Sequence, residues 1–353
     1  ENLNEFQLTE LEYQEGDKKI KVSKWTPPSV EKVSTNVKSN TTFHVQGKNK
    51  KYKVDFLHMT HSTIQCSMIA LHTPKGVVLF SGDFKLDDTP VVGPKPNYKR
   101  LKELGKEGIL VFIVNSLYSG TKDKTPSESA AREMLNKTLH QIEDKHEGII
   151  VTTFASQIAR IKSILDIGKK IDREVILLGR SMDKYSSAAK NSGAAPFLEG
   201  VRIAKYRRQV EKALKMTEKN RKDYLIVCTG HQGEPNSILE RMSRKDLHFK
   251  LTNRDNIVFS SSVIPSPVNI EQFSKMESRL KKFNPRIFRD VHVSGHGREE
   301  DLIQTLKLTT PKHIIPYHGG FDKTKPMIEI LKKMGYKLGK DAHLMNDGDI
   351  LKL

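Results

Sequence analysis

The sequence predicts an α/β protein in which a β-rich section is interrupted by a block of alternating strands and helices and then resumed. Three observations predict it: short apolar runs divided by turn residues crowd positions 51–80, a strand-then-helix texture repeats from residue 125, and the closing residues return to the texture of the first section. At 353 residues the chain exceeds the roughly 100–200 of a typical domain, so two domains, or one with a large insertion, are expected.

Residues 1 to about 50 are polar and lysine-rich, and Pro27, Pro28 and the Asn/Ser/Thr stretch at 34–42 read as loop. Residues 54–59, 64–71 and 77–80 read as neighbouring antiparallel strands, the last two divided by the turn Thr73-Pro74-Lys75-Gly76. Residues 109–114 form the continuous apolar run of a strand buried on both faces, ending at Asn115. Thr125-Pro126-Ser127-Glu128 places Thr at an N-cap, Pro at N1 and Glu at N3, a capping box for the helix that follows. Next comes a strand at 149–154, then a helix after Ser156 with Ile158, Ile161, Ile164 and Leu165 at helical spacing. Strands at 175–178, 224–228 and 257–259 then run into Gly179-Arg180-Ser181-Met182, Thr229-Gly230-His231-Gln232-Gly233-Glu234 and Ser260-Ser261-Ser262. A βαβα succession of this kind implies a parallel sheet covered by helices, with ligands at the carboxyl ends of its strands. Residues 313–317 read as a further strand, 324–334 as a helix and 344–353 as a hairpin turning at Asn346-Asp347-Gly348.

Lys plus Arg number 60 against 42 Asp plus Glu, a net charge of +18 that calls for an acidic partner, nucleic acid first. Hydrophobic residues at 36% suffice for a core. No apolar run approaches the roughly 20 residues of a membrane span and no signal-peptide succession opens the sequence, so a soluble, cytoplasmic protein with no membrane partner is expected. Cys66 and Cys228 stand far apart with no CxxC, which leaves a metal only histidines and carboxylates. No GxSxG elbow supports Ser-His-Asp chemistry. The basic run from Lys205 to Lys222 reads as a solvated face, but at this net charge it also raises the expectation of salt-sensitive phosphate contacts. Arg180 and Ser181, at a strand-to-helix turn, are better placed to hold a particular phosphate, because amides at a helix N-terminus can join them.

Four blocks sit just past strands: Thr60-His61-Ser62, Ser81-Gly82-Asp83-Phe84-Lys85, His292-Val293-Ser294-Gly295-His296-Gly297 and Pro316-Tyr317-His318-Gly319-Gly320. A strand end is rigid enough to hold a metal ligand, and small neighbours admit substrate or metal to the backbone. Together with Thr89-Pro90-Val91-Val92-Gly93, Thr152-Thr153-Phe154-Ala155-Ser156, Gly179-Arg180-Ser181-Met182 and the block beginning Thr229-Gly230, they resemble in order the archaeal ribonuclease J family, of the β-CASP branch of the metallo-β-lactamase fold. The resemblance runs from about residue 50 to the C-terminus.

It implies an α/β metallo-β-lactamase αββα sandwich, N-terminally incomplete, with an inserted β-CASP domain that has a parallel βα sheet. Residues 1–124 would be the first part of the metallo-β-lactamase domain, 125–262 the β-CASP domain and 263–353 the returning part. It further implies two zinc ions that activate a water to cleave a phosphodiester, with the insertion clamping single-stranded RNA over them. The activity so implied is that of a zinc-dependent ribonuclease, a 5′ to 3′ exonuclease with endonuclease capacity, in RNA decay or maturation. Carried over residue by residue, His61 and His318 resemble zinc ligands, and Asp83 the carboxylate bridging both ions. His292, Val293, Ser294, Gly295 and His296 resemble the phosphate-contacting loop. His296 and Asp83 are then the catalytic groups, His296 steadying the scissile phosphate or helping proton transfer, a role that suits a protonated imidazole.

The sequence departs from the family in two places. None of its 13 histidines forms an HxH, so the HxHxDH motif that supplies most remaining ligands is not in it. The motif then lies in an N-terminal part outside this sequence, in a segment supplied in trans, or has been lost, and fewer zincs or none are held. Asn115 stands where the family has an acidic residue, and an amide cannot act as a carboxylate, so lowered activity is expected. The alternative reading is a catalytically impaired or non-catalytic RNA-binding relative, or a fragment needing its N-terminal part in trans. A small-molecule hydrolase of the same fold, for lactones or thioesters, is disfavoured by the basic balance and the insertion. Single-stranded RNA is the expected partner, with a homodimer and a complementing N-terminal segment left open.

Overall fold

A computed structural model describes residues 12–15, 18–21, 39–46, 50–142 and 147–353. It divides into two units, Glu1–Lys38 and Ser39–Leu353. In the first, Glu12–Glu15 (β1) pairs antiparallel with Lys18–Lys21 (β2). The second opens with Thr41–Gln46 (β3), Lys51–His58 (β4), Ser67–Thr73 (β5), Gly76–Phe80 (β6), Tyr98–Glu107 (α1) and Ile109–Asn115 (β7). Then follow Glu128–His140 (α2), Gly148–Thr152 (β8), Ile158–Lys170 (α3), Glu174–Leu178 (β9), Arg180–Asn191 (α4), Arg202–Ala204 (β10), Arg207–Lys219 (α5) and Tyr224–Cys228 (β11). Ile238–Ser243 (α6), Asp255–Phe259 (β12), Pro267–Lys281 (α7), Arg286–Phe288 (β13), Glu299–Thr309 (α8), His313–Tyr317 (β14) and Phe321–Lys333 (α9) complete it.

The first sheet of this unit has the order β14-β7-β6-β5-β4-β3. β3 to β6 form an antiparallel meander, and β6, β7 and β14 run parallel. Alternation decides which face is buried. Leu57, Met68, Ala70, Val77, Leu79, Phe112 and Ile314 point to one side, against Leu101 and Leu104 of α1, Leu302 and Leu306 of α8, and Met327 and Leu331 of α9. Gly105 lets α1 approach α8, since a Cβ there would collide with the Leu308 carbonyl. On the opposite side the register lines up Thr41, Phe56, Ile69, Phe80, Ile113 and Ile315, one residue from each strand. That face is apolar but partly open, with Phe43 36% and Phe80 38% exposed. Helices cover only one side of this sheet among the described residues, so one sheet and one helix layer of the αββα arrangement are present.

Asp55 pins this sheet to α1. It is 3% exposed and accepts hydrogen bonds from Arg100 (2.6 Å), Thr42 (2.7 Å) and His72 (2.8 Å). Burial works to raise its pKa, but these three partners together hold the carboxyl well below the usual carboxylate range. The unfolded carboxylate protonates first, near the ordinary 3.8, so the stabilisation is intact above that pH and drains away as pH falls below it. Asp55→Ala is expected to cost about 1–3 kcal/mol in urea unfolding at neutral pH, by removing the acceptor of Thr42, His72 and one Arg100 donor, while Arg100 keeps its pairs with Glu103 and Glu107. The variant should also lose less stability than the parent on acidification.

The second sheet has the order β10-β9-β11-β8-β12-β13 and is parallel throughout. Its central strands β8 and β12 are buried along their whole length, as expected of strands covered on both faces. Leu135 of α2, Ile161 and Ile164 of α3 and Met182 of α4 cover one side. Val210 of α5, Leu239 of α6 and Met276 of α7 cover the other. This is the parallel βα sheet of the inserted domain, and the mixed fold agrees with a metallo-β-lactamase framework carrying a β-CASP insertion. Among the described residues no helix is long and apolar enough to cross a membrane.

Some sequence expectations are corrected. Part of the stretch read as loop is β3, whose Thr41 and Phe43 pair with Phe56 and Val54; the remainder, 34–38, lies outside the described residues. The helix α2 is capped by Ser127, which accepts from the Ser129 amide, rather than by Thr125. Thr125 is held elsewhere: its hydroxyl donates to the His296 carbonyl and its amide to Asp301. Residues 344–353 form no hairpin; the Asn346 turn closes with an Asp349 amide to Asn346 carbonyl bond of 3.1 Å, but no strands flank it.

Candidate metal centre

The carboxyl ends of β4, β6, β7 and β14 lie along one edge of the first sheet. His61 follows β4, Asp83 follows β6, Asn115 ends β7 and His318 follows β14. The loop 292–297 crosses this edge, held by a Gly297 amide to Phe84 carbonyl bond of 2.7 Å.

Ligating atoms of His61, Asp83 and His296 lie within 4.8 Å of one another. His61 Nδ1 stands 2.8 Å from the Gly295 carbonyl oxygen. When that nitrogen carries the proton it donates to the carbonyl, and Nε2 keeps its lone pair for a cation. Gly295 makes the approach possible, since a Cβ there would collide with Ser62 Oγ and stand 2.8 Å from His61 Nδ1. His318 Nδ1 is 3.1 Å from Asp83 Oδ1, and His296 Nδ1 is 4.0 Å from the same oxygen. The His296 ring packs edge-on against those of His61 and His318, at 4.9 and 5.2 Å between centroids. His318 adopts φ +76°, a left-handed conformation that costs a non-glycine residue about 1–3 kcal/mol and is typically kept where function needs it.

Burial lowers the pKa of His61, more than the Gly295 carbonyl and the Asp83 charge raise it. His296 is pushed down to about 4, by burial first and then by His61. Both imidazoles are therefore neutral at pH 7, as ligands need to be. For His296 in the chain by itself, burial and the neighbouring His61 outweigh the Asp83 charge, and the protonated form expected from sequence needs a further anion, such as a phosphate, beside it. His61, Asp83 and His296 thus fit a divalent cation, two imidazoles kept neutral by burial and a carboxylate converging within 4.8 Å on a rigid sheet edge, with His318 beside Asp83.

Asn115 occupies the middle of this arrangement and is 3% exposed. Its Nδ2 lies 2.6 Å from Asp83 Oδ1, 2.8 Å from His318 Nδ1 and 3.3 Å from His296 Nδ1. Its Oδ1 faces away, accepting from the Leu117 amide at 3.1 Å. An amide group with two protons thus meets three atoms that a cation would otherwise draw together.

The predicted phosphate-contacting loop is anchored from beneath. Ser294 Oγ accepts from the His296 amide at 3.0 Å, and Thr125 Oγ1 accepts from the Arg298 amide at 2.9 Å. Val293 is buried, and His292 is pushed down to about 3 by burial, then by Arg160 and Lys85. Arg160 of α3 is fully buried; it pairs with both oxygens of Glu128 at 2.6 and 3.1 Å and donates to the Ser260 and Val291 carbonyls. The sequence assigns Thr125 only a capping role and gives Arg160 none. The available signal was an arginine on an otherwise apolar helix face, between Ile158 and Ile161. Arg180 and Ser181 are not brought to this centre. They lie in the first turn of α4, past β9, and line a separate crevice with Lys205, Tyr206 and Arg241.

Residues 146–278 match the family described as "Ribonuclease J, beta-CASP domain", and residues 282–344 match "Zn-dependent metallo-hydrolase RNA specificity domain". The chain is 39% identical over 339 residues to Ribonuclease J of Methanocaldococcus jannaschii, covering 92% of this chain and 76% of that protein. It is 38% identical to Ribonuclease J of Pyrococcus abyssi, covering 85% and 66%, and 29% identical to that of Synechocystis, covering 90% and 48%. The crystal structure of a protein of unknown function from Enterococcus faecalis V583 shares the fold, with a TM-score of 0.54 at 16% identity over 80% of this chain and 61% of that one. With the level of identity to the Methanocaldococcus protein, the two matched family segments and the sheet edge that gathers His61, Asp83, His296 and His318, the chain belongs to the ribonuclease J family, of the β-CASP branch of the metallo-β-lactamase fold.

Proposed function

We propose that this chain supplies the RNA-holding section and part of the metal centre of a zinc-dependent ribonuclease, a 5′ to 3′ exonuclease with endonuclease capacity acting on single-stranded RNA in the cytoplasm. The observation that carries the reading is the convergence of His61, Asp83 and His296 within 4.8 Å beside His318. His61, Asp83 and His318 would hold the metal. A bound zinc supplies Lewis acidity to water and to the phosphate oxygens. His296, enclosed and neutral, can accept a proton or, with a phosphate beside it, carry one toward the leaving oxygen. Residues 292–295 place it, and the Gly295 carbonyl orients His61. Arg180 and Ser181 belong to the reading as contacts for phosphates away from the scissile one.

A complementing N-terminal segment bearing HxHxDH would complete the ligand set, and the open apolar row from Thr41 to Ile315 offers a face for it. We place the inserted section at 125–288, extending it past 262 because β13 pairs with β12 in its sheet. A homodimer is carried with the family resemblance alone. The second reading, an RNA-binding relative without catalysis, is favoured by one observation, the Asn115 amide at the centre of the ligands.

The test is incubation of 5′-monophosphorylated, end-labelled single-stranded RNA with the chain and zinc or manganese, with and without an HxHxDH-bearing N-terminal segment. Binding by the chain alone, and metal-dependent shortening from the 5′ end once the segment is added, are expected. Binding with no cleavage in either mixture favours the second reading, and absence of binding refutes both.

A further inference from the structure

We propose that the crevice at the carboxyl edge of the parallel sheet is a subsite for one nucleotide of the bound RNA, its base stacked on Tyr206 and its phosphate held by Arg180 and Arg241. The crevice measures about 730 Å³. It opens where the chain changes sides: α4 leaves β9 to pack on one face of the sheet, and α5 leaves β10 to pack on the other. In open parallel sheets this switch point is where phosphate-bearing ligands bind.

Its lining carries the two chemistries a nucleotide needs. Arg180 and Arg241 make no ion pair with the described residues, whereas Lys205 is paired to Asp183 at 2.7 Å and Arg207 to Glu211 at 2.9 Å. Two guanidinium forks are therefore free for a phosphate, beside first-turn amides of α4 that no side chain caps. Glu234 is the one acidic lining residue, and burial pushes its pKa up. Tyr206 is 58% exposed at the rim, with Lys205 Nζ 5.3 Å from its ring centroid. A largely exposed ring in a crevice that also carries unpaired guanidinium groups is how single-stranded nucleic acid is held without regard to sequence. Ser237 Oγ, buried and without a partner, adds a donor at the floor.

The carboxyl edge of the parallel sheet, on which the crevice lies, also touches the metal centre's surroundings. Gln157, past β8, reaches Ser62 Oγ beside His61 at 3.4 Å, and Ser260, past β12, holds Arg160. From β9 across β11 to β8, whose following residue Gln157 reaches Ser62, is two strand spacings, about 10 Å. A strand with one phosphate at the metal centre would reach the crevice a few nucleotides away. The proposal rests on the ribonuclease reading and adds to it the residues that hold the strand at a distance.

The test is fluorescence anisotropy of labelled single-stranded RNA of about 12 nucleotides, in chelator to prevent cleavage, across a salt series. Arg180→Ala with Arg241→Ala is expected to weaken binding and to reduce the salt slope by about 0.7, the contribution of the one phosphate the two side chains share. Tyr206→Ala is expected to weaken binding roughly five- to hundredfold with the slope unchanged, while Tyr206→Phe keeps the affinity. The three positions lie outside the buried core, so their variants should fold, and matching thermal melts check it. Wild-type binding that these variants leave untouched overturns the subsite alone. Adenosine monophosphate binding that the variants abolish while RNA binding stays intact also overturns it, making the crevice a free-nucleotide site. Absence of wild-type RNA binding overturns the ribonuclease reading and the subsite together.

Discussion

Arg160→Met is expected to destabilise the chain by about 3–5 kcal/mol, the cost of removing one partner from a buried charged pair. The side chain is completely enclosed, and its guanidinium makes bonds to Glu128 of α2, to the Ser260 carbonyl and hydroxyl past β12, and to the Val291 carbonyl just before the loop 292–297. Methionine fills most of the volume but supplies no donors, so the Glu128 carboxylate loses its charged partner, while the Ser260 and Val291 carbonyls keep the Thr153 and Ser260 hydroxyls as their remaining donors. The effect is not confined to stability. Arg160 joins the inserted sheet to residue 291 and Glu128 begins α2, next to Thr125 and its bond to the His296 carbonyl. The variant should therefore bind metal more weakly at temperatures where it is still folded. Urea unfolding followed by circular dichroism checks the first effect. Replacing Glu128 and Arg160 together by Leu and Met should recover much of the loss, since no unpaired charge then remains.

Asn115→Asp is expected to reverse the balance between the empty and the metal-loaded centre. In the chain alone the amide nitrogen stands 2.6 Å from Asp83 Oδ1 and 2.8 Å from His318 Nδ1, donating where ligands would otherwise face one another across a gap. A carboxylate there replaces two hydrogen bonds with repulsion against Asp83. A loss of about 2 kcal/mol or more follows for the metal-free protein, the range for hydrogen bonds to charged groups. With a cation present the sign inverts: a second negative group orients the histidines and balances the charge, and affinity should rise about tenfold or more. Thermal melts with and without zinc are the check. The variant should melt below the parent in chelator and gain more than the parent when zinc is added. Equal melting in chelator would mean that the amide is not what holds the ligands together.

The parts of this protein that were legible in the sequence are those in which one local rule decides the structure. Strands β7, β11 and β14 follow from apolar runs closed by polar residues, and the two-sheet division follows from the switch between alternating and continuous apolar patterns. His61, Asp83, His296 and His318 could be picked out because each sits beside Gly or Ser at a strand end or in the loop that crosses the same edge. What was not legible depends on partners remote in sequence. Arg160 reads as a misplaced charge until Glu128, 32 positions earlier, meets it. Thr125 satisfies a capping pattern on paper, but the His296 carbonyl and Asp301 compete for it and win, leaving Ser127 to cap the helix. The Asn346-Asp347-Gly348 turn does form, yet a turn signal specifies only itself, and no neighbouring strand is there to build a ladder. The crevice at Arg180 shows a third case: its residues come from loops after three different strands, so no single stretch announces it.

The central claim is that His61, Asp83 and His318, with His296 beside them, form a metal centre in this chain. Its most direct test is calorimetric titration of the chain with zinc, alongside Asp83→Ala and His61→Ala variants checked for native melting. Saturable zinc binding that falls at least about tenfold in both variants is the result expected when a ligand is removed. Zinc binding unchanged by either substitution would contradict it, and would place any metal this chain holds somewhere other than the sheet edge.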